Sequence, residues 1–201
     1  MGDWDAIHSS KNTEWRTPVA AFDTLDREFG FEVDAAASPD NALCDHYWTI
    51  TDDALSIDWS ATIISASGGG PTVFLNPPYG RGVGDWVDKA IEQQAKGCTV
   101  VMVLMACTDT KWWAKLWGSA HEVRFVTGRI RFLDRNGQEK NAAPKGTAIV
   151  VFRPFVHNSK APLCSLITLD ERNTDTKQDQ ACRRAAERRG DLEKRKRGGT
   201  A

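Results

Sequence analysis

Asn76-Pro77-Pro78-Tyr79 closes an apolar run, Thr72-Val73-Phe74-Leu75, whose length and composition suit a buried strand. The carboxyl end of a strand is where open α/β sheets bind their ligands. Consecutive prolines there fix the backbone and remove two N–H donors while leaving their carbonyls to accept. The Asn76 side-chain oxygen and the Pro77 carbonyl can therefore accept from an exocyclic amino group, and the Tyr79 ring can lie against the flat base that carries it. An aromatic amine is a poor nucleophile because its lone pair is delocalised into the ring. Two acceptors that hold its N–H bonds out of the ring plane localise that pair, and in-line attack on a methyl sulfonium then needs positioning and electrostatics rather than a strong base. The chemistry suited to these four residues is amino-group methylation. The plainer reading is a turn after a strand, a common role for Asn-Pro; the whole pattern arises by chance in about one chain in a hundred of this length.

Such a motif needs a sheet to carry it, and the rest of the chain supplies one. Val19, Phe22, Leu25 and Phe29 recur at helical spacing, which predicts a helix from Pro18 to Phe29 with Thr17 as its cap, Pro18 in its first position and Gly30 closing it. Phe31 to Asp34 reads as a short strand, and Ser38-Pro39-Asp40 as the N-terminus of another helix. Ile57-Asp58-Trp59 reads as a brief strand and Ser65 to Pro71 as a Ser/Gly-rich connector. Asp85 to Lys96 and Asp109 to Trp117 read as helices. Cys98 to Met105 is almost wholly apolar, as a strand buried on both faces must be, and His121 to Val126 and Ala148 to Phe152 read as two further strands. Beyond Pro154 the signal weakens. Strands alternating with helices predict a three-layer α/β domain with a mostly parallel sheet.

With 201 residues, 41% of them hydrophobic, the chain can bury one sizeable core, so one domain plus tails is expected. Residues 1–13 read as a flexible N-terminus, 14–154 as the catalytic domain, 155–182 as a poorly defined extension and 183–201 as a basic tail. No apolar run approaches the length of a membrane span and the first residues lack the pattern of a signal peptide, which points to the cytoplasm. Cysteines 44, 98, 107, 164 and 182 are odd in number and scattered, so reduced thiols are expected; Cys44-Asp45-His46 has no second pair of ligands, and no metal site is expected. The formal charge of −1 hides a division between an acidic body and a basic tail at 183–197. A partner rich in phosphate must then be met by local patches or by that tail, unless the tail serves only solubility.

Glu14-Trp15-Arg16-Thr17-Pro18, Val33-Asp34-Ala35-Ala36-Ala37, Asp53-Ala54-Leu55-Ser56-Ile57-Asp58-Trp59 and Asn76-Pro77-Pro78-Tyr79-Gly80, in this order, resemble the phage Dam-type DNA N6-adenine methyltransferases. The similarity runs on through Thr108 to Trp113 and Glu122 to Phe132, covering about Glu14 to Phe152. The resemblance implies a Rossmann-like methyltransferase sheet, S-adenosylmethionine as donor, double-stranded DNA as partner and transfer to N6 of a flipped adenine. By position, Trp15, Thr17 and Pro18 resemble the segment touching the donor's methionine part, and Asp34 with Ala35 the acid and turn after the first strand. Asp58 resembles an acid that accepts the amino group of the donor's adenine. A carboxylate at Asp34 can receive the donor's amino group, and a helix N-terminus at Ser38 and Pro39 would favour its carboxylate. Three alanines stand where many methyltransferases have a Gly-rich turn.

Gly80-Arg81-Gly82-Val83-Gly84 fits a mobile flap beside the target base better than a phosphate-cradling loop, with Arg81 available to a phosphate. Trp112 and Trp113 cannot share a helix face, so one should pack and the other be exposed. Between Gly128 and Lys145, Arg129, Arg131, Arg135, Lys140 and Lys145 accumulate around Asn136-Gly137, a strong turn signal that predicts a projecting hairpin from Leu133 to Lys140. Arg135 and Lys140 would contact phosphates, while Asn136, Gln138 and Asn141 could read base edges. Two other readings remain at this stage: methylation of an RNA guanine or a protein glutamine, and a nucleic-acid-binding module without catalysis.

Overall fold

The computed structural model describes residues 15–63, 70–134, 136–139, 143–154 and 161–169. Alternate residues of its central strands enter two separate cores, as runs without a polar face require. In β3 (Thr72–Leu75), Val73 and Leu75 enter one core and Phe74 the other. β4 (Thr99–Met105) divides likewise, Val100, Met102 and Leu104 against Val101 and Val103, and β6 (Thr147–Phe152) follows it. Helices α3 (Val83–Ala95) and α4 (Lys111–Trp117) cover the first face through Val83, Val87, Ala90, Trp113 and Leu116. The second face is covered by Ala21, Phe22 and Leu25 of α1 (Val19–Phe29) and by Ile130 and Phe132, which follow β5 (Glu122–Val126). Phe74 meets Phe22 at 5.0 Å and Phe31 at 5.3 Å between ring centroids, so truncating it to Ala should cost about 3–5 kcal/mol.

With β1 (Val33–Asp34), β2 (His46–Tyr47) and β7 (Leu163–Ile167), the sheet has seven strands in the order β2-β1-β3-β4-β6-β5-β7. Every pairing is parallel except those of β6, which runs antiparallel to β4 and β5. The chain moves from β1 outward to β2, then returns to β3 and proceeds to β4 on the other side. The order thus reverses between β1 and β3, and a crevice opens above their carboxyl ends.

Several local expectations need correction. Pro18, not Thr17, precedes the first helical residue, and no side chain caps α1; Gly30 does close it, in a left-handed conformation with φ 62°. Ser38 and Pro39 start a turn, not a helix: Asn41 N and Ala42 N donate to the Ser38 carbonyl, and the Asn41 side chain accepts from Ser38 N at 2.6 Å. The chain then enters β2, an edge strand with no apolar run to announce it. Ile57 to Trp59 is not a strand either. Asp58 caps the short helix α2 (Trp59–Thr62), accepting from Ser60 N, because Asp-Trp-Ser offers the backbone a better partner in a cap than in a ladder. β7 comes from the stretch after Pro154, where Leu163 and Leu166 stand exposed on a strand that shows no burial alternation.

The remaining elements stand close to their expected bounds. The expected hairpin forms around Asn136-Gly137: Leu133 bridges Glu139 antiparallel, Asp134 N donates to the Gln138 carbonyl, and Gly137 takes φ 76°. Trp113 is buried while Trp112 packs partly against the same core, at 5.8 Å from it. Among the described residues no helix is long and apolar enough to cross a membrane, and no three or more His, Cys, Asp or Glu side chains come together as metal ligands would.

Candidate active site

The crevice at the switch point is a cleft of about 640 Å³. Four stretches of chain line it: Trp15 to Thr17 ahead of α1, Asp34 to Leu43 after β1, Trp48 to Leu55 after β2, and Asn76 to Pro78 after β3, with Trp86 reaching in from α3. The last three stretches meet because each leaves the sheet at the same edge, and the first joins them through its hydrogen bonds to Asn76.

Asn76 has the most informative hydrogen bonding. Its Nδ2 donates to the Trp15 carbonyl at 2.6 Å and to Thr17 Oγ1 at 3.0 Å, while Oδ1 is sealed from solvent and has no partner among the described residues. The assignment of the two amide atoms is fixed by the Trp15 carbonyl, which can only accept, so the NH₂ must face it. A buried acceptor left unmatched costs about 1–3 kcal/mol, and a site keeps such an atom when a ligand satisfies it. Pro77 is buried and Pro78 exposed, both without an N–H to compete for that ligand.

Asp34, at the end of the adjacent strand β1, also lines the cleft and is 4% exposed. Its two carboxylate oxygens accept from Ala36 N and Leu43 N, each at 3.3 Å, and no Lys or Arg among the described residues pairs with it. Burial raises its pKa to about 6, and the two backbone donors oppose only part of that rise. The same burial, with the Asp34 charge beside it, pushes the Cys44 thiol well above its usual range, so that neighbour stays neutral. A cationic group brought into the cleft would restore the carboxylate's lost solvation. Ala35 and Ala36 serve both the core and the wall, their methyls making the turn apolar where glycines would leave it open.

A family model described as DNA N-6-adenine-methyltransferase (Dam) matches residues 6–181. The chain belongs to this family. It is 30% identical over 157 residues to the DNA N-6-adenine-methyltransferase of Haemophilus phage HP1, covering 76% of this chain and 82% of that one. It is 28% identical over 156 residues to the protein of the same name from Escherichia phage T1, covering 69% of this chain and 62% of that one.

Within this Dam-family chain, the cleft brings together Trp15, Thr17, Asp34, Ala35, Asn76, Pro77 and Pro78 of the residues singled out by sequence. It leaves out Pro18, which enters α1, and Asp58, whose carboxylate is spent on Ser60 and on Lys96 at 3.0 Å. Tyr79 is not on the cleft wall: its hydroxyl donates to the Val103 carbonyl at 3.2 Å and its ring meets Phe132 edge-on at 6.3 Å, so it is braced against β4. Burial raises its pKa well beyond the usual phenol range, which keeps the hydroxyl a donor.

Asp53, Trp48 and Trp86 line the cleft and were not singled out from sequence. Asp53 is the one non-glycine residue among those described with positive φ, 47°, and its carbonyl accepts from Ser56 N and Oγ, so a tight turn aims it. The paired Asp52-Asp53 after Thr49 and Thr51 was the available signal. Of the basic residues, Arg81 is exposed ahead of α3. Arg129 donates to the Ala143 carbonyl and Arg131 pairs with Glu139 at 3.3 Å. Arg135 and Lys140 lie outside the described residues, as do Asn141, residues 1–13 and the basic tail.

Proposed function

We propose that this chain transfers a methyl group from S-adenosylmethionine to N6 of adenine in double-stranded DNA, on a Rossmann-like methyltransferase sheet. The observation that carries the reading is the Asn76 amide, with both N–H bonds committed and its carbonyl oxygen kept without a partner at the carboxyl end of β3. Family membership supports the acceptor: two relatives carry the name DNA N-6-adenine-methyltransferase.

The residues fit the donor. Asp34, buried and without a cation, suits its α-ammonium group, and Ala35, Trp48 and Trp86 give apolar walls for a flat ring system. When bound, S-adenosylmethionine supplies an electrophilic methyl on a sulfonium. Asn76 Oδ1 and the Pro77 carbonyl accept the two N6 hydrogens, which turns the nitrogen lone pair out of the base plane. Positive charge developing on N6 during transfer would be stabilised by the same two acceptors. Neither is basic enough to keep a proton, so one N6 proton passes to water after transfer. Tyr79, off the cleft wall and braced by Val103 and Phe132, would support the strand end that carries Asn76, and would meet an extruded base only if that base lies outside the cleft.

The hairpin at 133–139 and Arg81 would carry the DNA contacts. The Arg131 to Glu139 pair is exposed and therefore weak, so a phosphate can replace Glu139 at little cost. Asn136 and Gln138, at the turn, would face the groove.

The test is tritiated-methyl transfer to DNA, RNA and protein in parallel, followed by digestion of the DNA to nucleosides and mass spectrometry. N6-methyladenine in DNA is expected, with Asn76→Ala about 10³-fold slower in turnover and donor binding preserved. Near-normal turnover in Asn76→Ala, or label found only in RNA or protein, would overturn the assignment.

A further inference from the structure

We infer that Thr17 is a positioning residue for the methyl transfer. Its Oγ1, with the Trp15 carbonyl, fixes the rotation of the Asn76 amide and so reserves Oδ1 for the acceptor amine. The inference rests on the reading of Asn76 given above. It assigns Thr17 a role other than contact with the donor, the one implied by its place in the sequence motif, and other than capping α1, whose first turn has no side-chain cap.

The geometry is that of a two-point clamp. The Trp15 carbonyl, 2.6 Å from Nδ2, sets which end of the amide faces the clamp, since a flip would put two acceptor oxygens together with no proton between them. One contact still lets the amide rock about its terminal torsion, which is broad and weakly restrained. Thr17 Oγ1, at 3.0 Å, takes the second N–H and removes that freedom. The clamp itself is rigid. Arg16, between its two halves, exchanges backbone hydrogen bonds of 3.0 Å and 2.9 Å with Leu133. The Trp15 ring stands edge-on to Phe132 at 5.9 Å, and Thr17 is 6% exposed where the chain turns into α1. A hydroxyl held this firmly accepts at one fixed point, and a threonine or serine is the residue type that supplies it.

Thr17→Val keeps the shape and removes the acceptor; Thr17→Ala does the same with less volume, should the valine strain the strap; Thr17→Ser restores the acceptor. We expect kcat on duplex DNA to fall about tenfold in the valine and alanine variants and to return to within about twofold in the serine variant, with KM for DNA and the calorimetric Kd for donor unchanged. In an Asn76→Ala background the Thr17→Val change should add nothing, because the group it orients is gone. With asparagine-selective ¹⁵N labelling, and the Asn76 signal assigned by its loss in Asn76→Ala, one of the two side-chain amide protons should move upfield in Thr17→Val and return in Thr17→Ser. A loss that appears in donor Kd rather than kcat, an unmoved amide signal, or unchanged kcat in both Thr17→Val and Thr17→Ala would overturn the inference while leaving the role of Asn76 intact. Full activity of Asn76→Ala would instead remove the reading beneath it.

Discussion

Asp34 and Asp58 carry the same side chain and occupy opposite physical situations, one at the carboxyl end of β1 and the other beside Lys96, just ahead of β4. Asp34 sits at the end of β1, buried in the cleft, with two long backbone contacts and no cation, and its pKa rises to about 6. Asp58 sits at the start of α2 with the Ser60 hydroxyl at 2.7 Å and Lys96 at 3.0 Å, and these contacts hold its pKa down at about 2. One carboxylate is kept short of partners, whereas the other has all it can use. A group that lacks partners in the folded protein is available to a ligand; a satisfied group is structural. The distinction lies in burial and neighbours, not in residue type, and it predicts which of two acidic positions binds the donor.

The sharpest way to break the comparison is to neutralise each acid. Asp34→Asn should weaken donor binding about 100-fold, the scale of a charge-assisted hydrogen bond lost from a buried site, while Asp58→Asn should leave the calorimetric Kd within about twofold. Equal losses in the two variants would erase the distinction.

A smaller effect comes from pH. If Asp34 holds the donor's ammonium as proposed, binding below a pKa of about 6 must displace a proton from it, and affinity should fall about tenfold between pH 7 and pH 5. Above about pH 8 affinity should fall again as the donor's α-amino group loses its own proton. Asp34→Asn should flatten the acid limb, and Asp58→Asn should leave it in place.

Stability should respond with opposite signs. The folded pKa of Asp34 is raised, so its unfavourable contribution is absent below about pH 4, grows as the pH rises toward 6 and is full at pH 7, where it amounts to roughly 3 kcal/mol. Asp58, with its folded pKa depressed, contributes stability above the ordinary carboxylate range that is lost as the pH falls toward 2. Thermal melts should therefore show Asp34→Asn gaining several degrees over the parent between pH 4 and pH 7. A difference between the two that does not change with pH would mean that Asp34 is not desolvated.

These contrasts explain what could and could not be read from the sequence. β3, β4, β6 and the helices α1, α3 and α4 were legible because burial on two faces or one leaves a periodic trace. β2 and β7 were not, since a short edge strand such as His46–Tyr47 and an exposed one such as Leu163–Ile167 bury too little to leave a pattern. In the site, Asn76 and Pro77 were legible because their chemistry is local: an amide and a carbonyl at a strand end accept wherever that strand lies. Asp34 followed from its place after β1. Asp58 misled because its cap, its lysine and its turn away from the cleft all depend on residues such as Lys96, far along the chain. Trp48 and Trp86 carry no local sign that separates a core tryptophan from one on a ligand wall, and the second role of Thr17 exists only once Asn76 is brought to it from β3.

The smallest effect separates the two jobs that Asp58 performs. As a cap it satisfies a backbone N–H that otherwise has no partner within the helix, and as an ion pair it meets a lysine that is itself 39% exposed and shared with Glu92 at 2.7 Å. Exposed pairs contribute little because solvent screens them and two long side chains must be ordered to make them. Asp58→Ala should therefore lower the melting temperature by a few degrees, Lys96→Ala by no more than about one, and Asp58→Ser, which keeps a cap but not a charge, should recover most of the loss. Donor binding and turnover should be the same in all three, since α2 faces Gln93 and not the cleft: Trp59 N donates to Gln93 Oε1 at 3.0 Å. If Lys96→Ala proved as costly as Asp58→Ala, the carboxylate would be held by the ion pair and not by the cap, and its low pKa would disappear in high salt.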